Sequence, residues 1–147
     1  LISHRGNING RLVPFENQPN YIDTAIAAGY DVEIDVWYEV ESGKLYLGHD
    51  KADYQIDIDW LDERSDKLWI HCKNMDSLSY FNKINTFGPE YNYFSHDKDM
   101  GVLTSYGYIW STNLYDNGIL VLPEVFEKTP IETTIGICSD IIQNYKK

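Results

Sequence analysis

The chain is poor in cysteine and in positive charge. Its 147 residues include two cysteines, Cys72 and Cys138, and 12 Lys plus Arg against 23 Asp plus Glu. Two cysteines make no disulfide scaffold. Each sits inside an apolar run, LWIHC and IGIC, and so reads as a core thiol. A formal charge of −11 argues against a nucleic-acid partner, whose backbone needs a basic face to displace its counterions. It equally disfavours attachment to anionic lipid through a polybasic patch. No stretch of about 18 apolar residues is present, so no spanning helix and no stable membrane insertion are expected. Low-complexity segments, fixed-period repeats and Pro/Gly/Ser-rich linkers are also missing, and a single domain over residues 1–147 is expected. The chain opens at Leu1 without an initiator Met, which implies that something upstream was removed or not included. A cytoplasmic setting is the expectation; the oligomeric state is open.

What is present is a packable composition, 43% apolar and 14% aromatic, and a recurring order: a short apolar run, polar or charged residues, then often a helical pattern. Strands are expected at Leu1–Ser3, Asp31–Val36, Leu68–Ile70, Tyr91–Phe94, Tyr108–Trp110, Ile119–Leu122 and Ile135–Cys138, with a hairpin arm at Leu45–Leu47. Helices are expected over Tyr21–Gly29, which Gly29 would stop, and over Met75–Ile84. Strands alternating with helices imply a parallel sheet with right-handed crossovers, and polar residues at strand C-termini suggest a barrel. A (β/α) barrel takes about 250 residues, rarely fewer than 200. The expected fold is therefore α/β, a compact or incomplete TIM barrel of parallel strands with short or missing helices.

Glu33 and Asp35 lie two apart in a strand and so point to one face. Two adjacent carboxylates repel, and burying them requires a cation. The opposite face, Val32, Ile34 and Val36, is apolar. A site for a hard metal ion follows; a solvated strand face is the alternative. His4-Arg5, at the end of the first strand, adds a group that titrates near neutrality and a fork that matches phosphate oxygens. His49-Asp50 follows the hairpin arm.

With His4-Arg5, Glu33-Ile34-Asp35 and His49-Asp50 in that order, and the flanks SHRGN, PFENQPN, AIAAGYDVEIDV and LYLGHD, the chain resembles the glycerophosphodiester phosphodiesterases, relatives of phosphatidylinositol-specific phospholipase C. The resemblance is close over roughly the first 75 residues and loose to the end, where GICSDIIQNY resembles the family's last strand. It implies metal-dependent cleavage of a small phosphodiester on a (β/α) barrel. Carried over, His4 and His49 would be the catalytic pair, one a base and the other protonating the leaving oxygen. Glu33 and Asp35 would ligate one divalent cation, Mg²⁺ or Ca²⁺. Arg5 would grip the phosphate, and Glu16 would orient Arg5 or His4.

Two departures stand out. The family's third strand ends in Glu-x-Lys and its Glu completes the metal shell; here the place reads His71-Cys72-Lys73. An imidazole ligand at His71 suits Mn²⁺ or Zn²⁺ better, with Asp97, Asp99 or water as substitutes if it does not ligate, and Lys73 is kept to steady the phosphate. The second half is also short, and the leaving-group pocket is built there. Other residues stay open. His96 is a site residue or a loop histidine, and Tyr108 and Trp110 an aromatic wall or core. Glu124 is a contact for the leaving group or a helix N-terminal acid. Asp140 is most simply the N-cap of the last helix. Beside phosphodiester hydrolysis stand a sphingomyelinase D-like cyclising phospholipase and a non-catalytic binding module that keeps the fold.

Overall fold

In the computed structural model, which describes residues 1–88 and 90–147, the short apolar runs bounded by polar residues become strands. The order is β1 (Ile2–His4), α1 (Pro19–Ala27), β2 (Asp31–Glu39), β3 (Lys44–Leu47), β4 (Tyr54–Ile56), α2 (Ile58–Asp62), β5 (Leu68–Cys72) and α3 (Met75–Ile84). Then come β6 (Asn92–Phe94), β7 (Gly101–Leu103), β8 (Ile109–Ser111), β9 (Gly118–Val121), β10 (Gly136–Ser139) and a 3-10 turn at Ile142–Tyr145.

All the strands join one sheet that curls into a half-barrel. Its parallel part runs β6-β5-β2-β1-β10-β9-β8. The arms β3 and β4 extend β2 antiparallel, and β7 pairs antiparallel with β8. A closed TIM barrel is not formed among the described residues. Instead of a ladder, the β6 edge meets the segment after β7 through Ser105, whose N–H donates to Tyr93 O at 2.8 Å and whose Oγ donates to Tyr91 O at 2.9 Å. The cause is the economy of the second half. Parallel neighbours are usually joined through a covering helix, yet the turns between β8, β9 and β10 carry none, and β7 is used as an antiparallel arm.

The helices form where local chemistry favours them. Pro19 opens α1, and Gly29 follows it at φ +93°, a conformation open to glycine at no steric cost. Asn74 caps α3 by accepting from Ser77 N–H at 3.0 Å, and Ser77 returns a reciprocal bond. None of the described helices is long and apolar enough to cross a membrane.

Alternation along the strands separates two cores. Val32, Ile34 and Val36, with Leu68, Ile70 and Cys72, face outward and are sealed by Ile22 and Ala25 of α1 and Phe81 of α3. Ile2, Phe94, Trp110, Ile119, Val121 and Cys138 face inward and plug the concave side, with Trp69 against them. Both cysteines are free and buried, as expected of core thiols. Trp110 is core, 4% exposed and 4.7 Å from the Phe94 ring, whereas Tyr108 is exposed. This aromatic plug is the floor of the site, because the next inward residues on the same strands are His4, His71, His96 and Asp140.

Candidate active site

Two residues beyond Ile2, Trp69 and Cys138, the strands deliver His4, His71 and Asp140 to the mouth of the half-barrel, and β2 delivers Glu33 and Asp35. All five are buried. The turn after β1 is held in an unusual backbone. Arg5 has φ +55° and Gly6 φ +93°. A Cβ on Gly6 would come 2.5 Å from Tyr21 Cδ1. Arg5 N–H donates to Glu33 O at 2.9 Å, which fixes the turn on β2. A non-glycine residue in this region signals a backbone held by its surroundings.

Asp35 is the hub. Its Oδ2 lies 2.9 Å from Arg5 Nε and accepts from Asn17 Nδ2 at 2.8 Å. Its Oδ1 lies 3.1 Å from His71 Nδ1 and 3.7 Å from Lys73 Nζ. Burial alone would raise the Asp35 carboxyl, but His71, Arg5 and Lys73 outweigh it and hold it well below the usual carboxylate range. Glu33 behaves oppositely: burial and the Asp35 charge push it up, more than His4, Arg5 and His71 pull it down.

Glu33, Asp35 and His71 each offer a ligand atom, all within 4.8 Å of one another, and the cluster could hold a metal ion. Two observations fit that role. Glu33 Oε2 and Asp35 Oδ1 are buried oxygens without a hydrogen-bond donor, an arrangement that costs free energy unless a cation completes it. His71 Nε2 lies 3.2 Å from His96 O, which turns Nδ1 towards the carboxylates. Asp97 and Asp99 are exposed and outside the cluster.

His4 Nδ1 lies 2.7 Å from Asp140 Oδ1, and its Nε2 points towards Glu33 Oε2 at 3.8 Å. Burial would lower the His4 pKa, but the Asp140 bond and the Glu33 charge outweigh it and raise it. Asp140 is in turn fixed by Asn7 Nδ2, which donates to it at 2.8 Å, and by Glu124 Oε1, which accepts from Asp140 N–H at 2.8 Å. Glu16 accepts from Arg5 at 3.3 Å, Asn7 at 3.0 Å and Arg11 at 3.0 Å.

His49 is at the margin. Its side chain is 40% exposed and its Nδ1 lies 2.7 Å from Asp50 Oδ1. Gly48, before it, donates to Asp35 O at 3.1 Å and accepts from Trp37 Nε1 at 2.6 Å. Partial burial and the Arg5 charge lower the His49 pKa. His96 stacks on His71 with centroids 4.5 Å apart and planes 3° from parallel. Burial and the charges of His71 and Lys73 push its imidazole down to about 4.

His4, Arg5, Glu16, Glu33, Asp35, His71 and Lys73 thus form one connected cluster, with His49 beside it. Sequence reasoning missed Asn7, Asn17 and the role of Asp140. The last is no N-cap: the 3-10 turn has Ile141 at that place and no side-chain cap. Glu124 starts no helix and instead locks the Asp140 turn. The signal for Asp140 was there, since it stands two residues past inward-facing Cys138 as His4 stands past Ile2. No family model, curated protein or solved structure matches this chain.

Proposed function

We propose that this chain is a metal-dependent phosphodiester hydrolase acting on a small glycerophosphodiester-like substrate. The observation that carries the reading is one connected cluster at the strand ends. It joins two buried carboxylates, one ringed by cationic groups, to a carboxylate-bound histidine. A divalent cation held by Glu33, Asp35 and His71 would supply Lewis-acid polarisation of a phosphoryl oxygen. The imidazole donor favours Mn²⁺ or Zn²⁺ over Mg²⁺ or Ca²⁺.

The protein's own groups divide the remaining work. Arg5 and Lys73 supply positive charge for the phosphate in a chain whose net charge is −11 and which has no basic surface to spare. The two histidines are pushed in opposite directions, His4 up by Asp140 and Glu33 against its burial, and His49 down by partial burial and Arg5, a split that suits one acid and one base. His49, neutral, takes the proton of the attacking hydroxyl. His4, protonated and oriented by Asp140, gives its Nε2 proton to the leaving oxygen as the P–O bond breaks. Attack by water yields a phosphomonoester and an alcohol; attack by a neighbouring substrate hydroxyl yields a cyclic phosphate and the same alcohol.

The test is hydrolysis of bis(p-nitrophenyl) phosphate by the full chain, with the monoester as control. Diester cleavage that falls by about 10²-fold or more in His4→Ala and in His49→Ala, with both variants folded, supports the proposal. No cleavage, or equal rates in the variants, overturns it.

A further inference from the structure

Asn17, in the loop between β1 and α1, is 1% exposed and has φ +62°. Asparagine is one of the few residues that enter this left-handed region readily. In that conformation Asn17 joins two parts of the site. Its backbone N–H donates to Arg5 O at 3.1 Å. Its side chain grips Asp35 at both ends: Oδ1 accepts from Asp35 N–H at 3.0 Å, and Nδ2 donates to Asp35 Oδ2 at 2.8 Å. Two bonds to the backbone and the carboxylate of one residue close a ring, and that ring fixes the rotation of the Asp35 side chain.

The outcome is an asymmetric carboxylate. Oδ2 is occupied by Asn17 Nδ2 and by Arg5 Nε, 2.9 Å away. Oδ1 is buried without a hydrogen-bond donor among the described residues and lies on the side of His71 Nδ1, at 3.1 Å. Asp35 therefore has one oxygen left to offer a cation. Ca²⁺ takes about six to eight oxygen ligands and commonly draws two of them from one carboxylate. Mn²⁺ and Zn²⁺ accept imidazole, and Zn²⁺ needs only about four ligands in all.

We propose that Asn17 is a positioning residue that makes Asp35 a one-oxygen ligand and thereby biases the Glu33, Asp35 and His71 site away from Ca²⁺. The inference rests on the metal-binding reading of that cluster and adds the residue that sets which cation it holds. His71 disfavours Ca²⁺ through the kind of donor it supplies. Asn17 does so separately, by withholding an oxygen.

Calorimetric titration of the chelator-treated full chain with Mn²⁺ and with Ca²⁺ tests this in the native protein and in Asn17→Gly. Glycine adopts the left-handed conformation at no steric cost and keeps the N–H that Arg5 O accepts, so the variant removes the side-chain grip alone; thermal melts report its folding. The native chain is expected to bind Mn²⁺ more tightly than Ca²⁺. In Asn17→Gly the Mn²⁺ affinity should fall about ten-fold, the order for loss of a partner behind a metal ligand, while Ca²⁺ affinity holds or rises, so the preference narrows about ten-fold. Asn17→Asp, which tolerates the same backbone but lacks the Nδ2 donor, should narrow it in the same direction. Equal weakening of both metals in a folded variant overturns the proposal and leaves Asn17 a loop anchor, and so does a native chain that prefers Ca²⁺. A native chain that binds neither cation overturns the metal-binding reading itself.

Discussion

Glu33 and Asp35 are neighbours on one strand face, yet their isosteric amides should change stability in opposite directions in metal-free protein. Asp35 is fully buried and faces Arg5, His71 and Lys73. Asp35→Asn leaves those groups without their counter-charge, and breaking a buried pair costs about 3–5 kcal/mol. At roughly 2–4 °C per kcal/mol for a chain of this size, Tm should fall by about 6–20 °C. The Asp35 contribution is present above the unfolded carboxylate value of about 3.9 and is lost as pH falls through its lower folded value. Glu33 carries the opposite sign. Its raised pKa means that the folded state keeps a proton the unfolded chain releases, so stability falls as pH rises above about 4.3. Glu33→Gln removes a buried oxygen without a donor and should raise Tm by a few degrees, on the order of 1 kcal/mol. Thermal melts in chelator at pH 7.5 (about the neutral range of the assay) read both effects. Adding a divalent cation at about 100 times its Kd should then stabilise the native chain by about 2.7 kcal/mol, with little response in Glu33→Gln. Equal losses in the two variants, or equal metal responses in Glu33→Gln and the native chain, would refute the reasoning.

Asp140→Asn removes the carboxylate that raises the His4 pKa, so the alkaline limb of the rate–pH profile should move to lower pH and kcat fall about 10–100-fold; an unmoved limb would dissociate His4 from the acid role. His96, held down at about 4, refuses a proton that the unfolded chain accepts below about 6.5. Stability should therefore drop as pH falls from about 6.5 to 4, and His96→Gln should flatten that slope in melts across the window. A Cβ at Gly48, where φ is +149°, would lie 2.0 Å from Lys51 O. Gly48→Ala should cost more than about 1 kcal/mol and, by displacing His49, lower kcat about a hundred-fold, measured by melts and initial rates together.

The parallel strands were legible because most are short apolar runs ended by polar residues, and α3 was legible to its ends because Met75, Leu78, Phe81 and Ile84 recur at near-helical spacing. The carboxylate pair was legible because period-two alternation fixes its face without tertiary information, whereas His4-Arg5 stood out only through the order His4-Arg5, Glu33-Ile34-Asp35, His49-Asp50 on which the resemblance rests. The arms β4 and β7 were not: each has three residues, and only pairing with β3 or β8 makes it a strand. The missing closure was also hidden, since strand count says nothing about whether β6 finds a partner across the gap. Asp140 was misread because a carboxylate before an apolar run satisfies the N-cap pattern locally. Its bond to His4 spans 136 positions in sequence, and only the matching offset of the two residues past Cys138 and Ile2 pointed to a shared face.

The most direct measurement is the diester cleavage rate after chelation and after return of Mg²⁺, Ca²⁺, Mn²⁺ or Zn²⁺ in turn, with Glu33→Gln run alongside. The expected result is a rate abolished by chelator, restored by at least one divalent cation and best by Mn²⁺ or Zn²⁺, and absent in Glu33→Gln at every metal concentration. A rate that survives chelation, or one that Glu33→Gln retains, would contradict a metal-dependent site at Glu33, Asp35 and His71.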